Sequence, residues 1–150
     1  MNPTDPTVDS TVRDAIARAV GVLGMAGIGL VHLLDAPGKY TETPYMFWMY
    51  IALILAAIAV GAEMLRTGSR LAWAAAAGLA GSAIVGYVLT RTTGLPQDHG
   101  DIGNWTEGLG LASLWIEGCV VVLAGAVLGA RATVARRVSV VTPARVPRAS

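Results

Sequence analysis

Two constellations in this chain hold the residue types for metal chemistry. His32 and Asp35 are three apart at the end of one apolar run, and His99 sits in Asp98-His99-Gly100-Asp101. A three-residue step puts His32 and Asp35 on one helix face. Imidazole with carboxylate is the ligand set of zinc and similar divalent ions. Met46 and Met49, three apart near the start of the next run, would bring thioethers toward His32, a set that suits Cu(I). His32, Asp35 and His99 are therefore candidate ligands for a divalent metal or copper. Neither histidine belongs to an HxxxH or HExxH pattern. Haem between His32 and His99 is disfavoured, because one ligand would come from a loop. The competing reading makes His32 a helix-end residue bonded to a carboxylate and His99 a solvated loop residue.

Glu117 is the second focus. It lies inside the apolar stretch 109–130, among Leu, Val, Ala and Gly. A charge at the centre of a bilayer helix costs a few kcal/mol or more, so such a residue faces a protein interior or a wet cavity and has a partner. It is ten positions past Glu107, or roughly 15 Å along a helix. Ser82 lies at similar depth in the preceding run, and Ser113 is one turn away on the same helix. Either hydroxyl is a candidate partner. A structural Glu117 would be protonated and would tie the fourth helix to the third. A relay would need a chain of polar groups across the membrane, and no such chain continues toward the other side.

The elements that must position these groups are set by composition. The 150 residues are 54% hydrophobic and only 14% charged, with mean hydropathy +0.58. Soluble domains are nearer a quarter charged, so the chain belongs in lipid. Cys119 is the single cysteine, which rules out an internal disulfide. The polar start, 1–13, lacks the form of a signal peptide and reads as a tail. Four apolar runs follow, at about 14–34, 45–65, 71–90 and 107–130, each near the length needed to span a bilayer. Asp9, Ser10 and Thr11 offer caps for the first. Asp35-Ala-Pro37-Gly38 is expected to end it, since Pro removes a donor and Gly permits a turn. Thr43-Pro44 opens the second as cap and first-turn residue. Glu63 and Arg66 can pair at its far end. The stretch 91–106, with Gly94, Pro96, Gly100 and Gly103, forms a long loop, and 131–150 is a basic tail.

The fold expected is thus an all-α integral membrane four-helix bundle with both termini on one side. Nine of the eleven basic residues lie in the tails, the 66–70 hairpin and the start of the first run, against Lys39 and Arg91 opposite. Lys- and Arg-rich flanks stay in the cytoplasm, so the expected placement is a multi-pass cell-membrane protein with cytoplasmic termini. The loops bearing His32, Asp35 and His99 are then outside, where Arg91 is expected to pair with Asp101 or Glu107 and order the long loop. Ala74, Gly78, Ser82, Gly86 and Thr90 recur every fourth residue in the third run, and Gly125 and Gly129 form a GxxxG pair in the fourth. Such small faces allow close helix packing, either within the bundle or against a second membrane protein.

The stretch Arg91-Thr-Thr-Gly-Leu-Pro96, then Gly103-Asn-Trp105-Thr-Glu107-Gly-Leu-Gly110-Leu-Ala-Ser113-Leu and Glu117, resembles a pattern in small uncharacterised membrane proteins of actinobacteria. Val31-His32-Leu fits the same pattern. The resemblance covers most of the membrane portion and neither tail. It implies a four-helix membrane protein and carries no catalytic role. The arginine bias, with Lys39 the lone lysine, agrees with it.

Enzymatic activity is disfavoured: there is no nucleophile with an evident base, no glycine-rich phosphate loop and no cofactor fingerprint. The first functional expectation is a non-catalytic accessory or interaction subunit in the lipid bilayer, as a homo-oligomer or beside another membrane protein, without nucleic acid. The alternative is a metal- or haem-binding membrane protein with its site near His32 and His99.

Overall fold

The computed structural model describes the backbone of residues 6–141 and the side chains of residues 8–136. It is all-α. The helices are α1 (Pro6–Glu42), α2 (Pro44–Arg66), α3 (Arg70–Thr92) and α4 (Gly108–Val141). All four are long and apolar enough to cross a membrane. At 1.5 Å per residue, the 23 residues of α2 or α3 cover the roughly 30 Å hydrocarbon core. Helix α1 packs on α2 and α4, and α3 closes the bundle against α4. The α2–α3 turn marks the hairpin end of the bundle. The α3–α4 connection marks the loop end.

Helix α1 runs beyond its expected stop. Pro37 lies inside it and leaves the Leu33 carbonyl without a helical donor. Tertiary contacts beyond the proline outweigh that loss. Lys39 reaches Asp98 and Asp101 in the long loop at 3.2 and 2.9 Å, and the Thr43 amide donates to the Lys39 carbonyl. At the other end α1 starts at Pro6, a residue suited to the first helical turn, so Asp9, Ser10 and Thr11 lie within the helix. Residues 1–5 of the expected tail are outside the described residues.

Helix α4 continues eleven residues past 130, because 131–141 contains neither Gly nor Pro. It carries Arg131 and Arg136 with it. Residues 142–150, including Arg145 and Arg148, are outside the described residues. Thr43 makes no side-chain cap on α2; its hydroxyl turns to Asp98 instead, at 3.5 Å. Ser69 does cap α3, accepting from the Ala72 amide.

The hairpin end is tightly clamped. Arg131 donates to the Gly68 carbonyl and to Asp14, each at 2.7 Å, while Arg70 donates to the Arg131 carbonyl. Glu63 and Arg66 pair at 2.8 Å. Gly68 adopts φ +55° beside the Arg18 side chain, a position that favours glycine on both counts.

The core fills the hairpin half with Met25, Ile28, Met64, Trp73, Ala76 and Val120. The small-residue faces differ from expectation. The buried stripe of α3 is Ala72, Ala76 and Ala80, two positions out of step with Ala74, Gly78 and Ser82. Trp73, fully buried against Gly21, sets this rotation: the large ring contributes more by burial than any glycine. Close approaches occur on α1, where Gly24 and Gly27 face Val120 and Ile116 of α4, and at the start of α4, where Gly110 faces Tyr87 of α3. A side chain added at Gly78, Gly125 or Gly129 would meet nothing.

Candidate functional site: a polar-floored cavity

Above the packed core the helices separate, and a cavity of about 220 Å³ lies between them toward the loop end. Its walls are apolar, with Val31, Met46, Leu53, Leu95 and Leu109. Its polar groups come from every helix and from the long loop.

Glu117 forms the floor. It is 1% exposed, and Ser113 Oγ, one turn away, donates to its Oε1 at 2.6 Å. Its Oε2 has no hydrogen-bond partner among the described residues. Ser82 is not the partner: it donates to the Leu79 carbonyl at 2.7 Å and stands on the cavity rim. An i−3 carbonyl is within reach of any helical serine, which lets Ser82 settle locally.

His32 and the Tyr50–Asp35 pair occupy the middle. His32 Nδ1 lies 2.9 Å from the Ile28 carbonyl. A carbonyl only accepts, so Nδ1 carries the hydrogen and Nε2 of the neutral ring keeps its lone pair. Tyr50 meets the His32 ring edge-on at 4.9 Å and donates to Asp35 at 3.0 Å.

The loop end is closed by an ion network. Arg91 is buried, 2.8 Å from Asp101 and 3.4 Å from Glu107. Its guanidinium also lies over the Tyr87 ring at 5.0 Å, a cation–π contact. Glu107 caps α4, accepting from the amides of Leu109 and Gly110. Asp101 accepts from Lys39 as well. Burial pushes its carboxyl up, and the Lys39 and Arg91 bonds outweigh burial, leaving it below the ordinary carboxylate value.

The proposed ligand set of His32, Asp35 and His99 does not assemble. His32 and Asp35 line the cavity and His99 does not. His99 is exposed in the loop against Gly94, while Asp35 is engaged by Tyr50. Among the described residues no group of three or more His, Cys, Asp or Glu stands together as a metal site. Met46 and Met49 line the same cavity as His32.

Lys39, Tyr50 and Tyr87 were not legible as site residues. Lys39 carried one signal, as the lone lysine in a chain that otherwise uses arginine. No protein-family model, curated protein or solved structure matches this chain.

Proposed function

We propose that this protein is a non-catalytic multi-pass membrane protein that binds a small amphipathic molecule in the cavity above Glu117. The observation that carries the reading is the buried Glu117 side chain on the cavity lining, held by Ser113 through one oxygen and without a partner among the described residues on the other. A buried polar atom without a partner is costly, by roughly 1–3 kcal/mol. A ligand donor would supply the missing bond. Apolar walls with a few convergent polar groups are the usual make-up of a small-molecule site.

The test uses Gly86, which lines the cavity and has open space where a side chain would go. Gly86→Leu fills the site without displacing backbone. Native mass spectrometry of protein released from mild detergent should show a small-molecule adduct on the wild type and none on Gly86→Leu. Identical spectra would reject the reading.

The excess of arginine at the hairpin end supports cytoplasmic termini and an outward-facing loop end. A cysteine placed at Gly100, with Cys119 replaced by Ser, should then label from outside intact cells. Labelling only after permeabilisation would reverse the orientation.

A second reading, an accessory subunit that docks on another membrane protein or a second copy, is favoured by the glycines at 78, 125 and 129, where an added side chain would meet none of the described residues. Cross-linking from Gly78→Cys in membranes tests it; absence of any cross-linked species would remove it.

A further inference from the structure

We infer that the occupant of the cavity is an amphipathic organic cation, an amine head seated against Glu117 with an apolar body along Met46 and Leu53, reached sideways from the bilayer between α2 and α3. This rests on the reading of the cavity as a binding site.

Charge argues for a cation. Four carboxylates line the cavity, from Asp35, Asp101, Glu107 and Glu117, and the one guanidinium among them is Arg91. Arg91 is balanced by its ion pairs to Asp101 and Glu107, with Lys39 adding a second cation to Asp101. Its Nε and Nη1 make no well-aligned hydrogen bond, but its charge is already met. Asp35 and Glu117 accept from the hydroxyls of Tyr50 and Ser113, and neither is ion-paired to Lys39 or Arg91. The other basic group that shares the cavity lining with them is the His32 imidazole.

Hydrogen bonding points the same way. Glu117 Oε2 has no partner among the described residues, and an imidazole whose single hydrogen sits on Nδ1, toward the Ile28 carbonyl, has a lone pair on Nε2. An ammonium group brings donors and no acceptor, so it complements both. A carboxylate or phosphate head would bring acceptors to acceptors. The apolar walls call for a hydrocarbon body on that head and disfavour a bare inorganic ion.

The way in follows from exposure. Met49 and Ser82 both line the cavity, yet Met49 is 57% exposed and Ser82 is exposed too. Ser82 stands midway along α3, within its membrane-spanning length. The opening between α2 and α3 therefore faces lipid, while the long loop and its ion network close the loop end.

The test is calorimetric titration of the full chain in zwitterionic nanodiscs with three probes of one shape: 4-phenylbutylamine, 4-phenylbutan-1-ol and 4-phenylbutanoate. The amine should saturate at one per protein and bind at least about tenfold tighter than the alcohol, as expected for a buried charge pair. Glu117→Gln should erase that preference and leave the alcohol affinity unchanged. Gly86→Leu should abolish binding of both. If the alcohol or the carboxylate binds the wild type as well as the amine does, or if the amine preference survives Glu117→Gln, the cation assignment fails; Gly86→Leu-sensitive binding in that case keeps the cavity as a site. No saturable binding of any probe above empty nanodiscs overturns both. The wild-type series decides the outcome even if a variant folds poorly.

Discussion

Lys39 on α1 lies 2.9 Å from Asp101 in the α3–α4 loop, 62 positions away in the chain. This contact joins the far end of the first helix to the segment that closes the cavity. Asp98, 3.2 Å from the same ammonium, is slightly more buried than Lys39 itself. Removing the lysine leaves buried Asp98 without a cation and Asp101 with Arg91 alone. Lys39→Met should therefore destabilise the protein by about 3 kcal/mol, since breaking a buried pair on one side leaves an uncompensated charge. Lys39→Arg should recover most of it. Thermal unfolding of both variants in one detergent checks this, and a Lys39→Met midpoint equal to wild type would refute it.

The pH response of the loop follows from Asp101. Its folded-state value lies below the unfolded 3.8, so the stabilisation it supplies is complete above the unfolded value and lost as pH falls through the lower folded one. The stability difference between wild type and Asp101→Asn should be constant from pH 7 to about 5 and shrink only below about 4. Thermal midpoints across that range measure it. A difference that already declines between pH 7 and 5 would contradict the Lys39 and Arg91 pairing.

Ser113 and Glu117 differ in what each leaves behind. Glu117→Gln retains an oxygen for the serine hydroxyl and should change the midpoint little. Ser113→Ala removes the donor from a buried Glu117 and should cost about 1–3 kcal/mol. Glu117→Leu strands only Ser113, which can turn back to a carbonyl on its own helix, so its cost should fall between the two. A Ser82→Ala change as damaging as Ser113→Ala would reassign the partner.

The glycines should divide by helix. A Cβ at Gly24 meets the Val120 side chain, whereas one at Gly78 meets nothing. Gly24→Leu should overpack the α1–α4 contact at about 1–3 kcal/mol. Gly78→Ala should be neutral or stabilising, because alanine is the better helix former. Equal losses at both positions would indicate that α3 uses its glycine face within the bundle.

Hydropathy and helix length are local properties, so the four membrane-length helices and the long loop between the last two could be read from the chain alone. The gathering of His32, Asp35, Arg91, Asp101 and Glu107 at one end of the bundle was legible for the same reason: depth along a helix is residue number multiplied by rise. Rotation about the helix axis is not local. It was decided by Trp73, whose burial turns Ala72, Ala76 and Ala80 inward and leaves Ser82 on the rim, so that Glu117 bonds Ser113. The end of α1 was likewise decided at a distance. Pro37 and Gly38 predict a stop, and the Lys39 contacts to Asp98 and Asp101 carry the helix through it. The sequence by itself determined which groups share a membrane depth. The tertiary structure decided which of them touch, and that a cavity with one unpaired carboxylate oxygen remains among them, because side-chain pairing depends on helix rotation and on contacts between residues far apart in the chain.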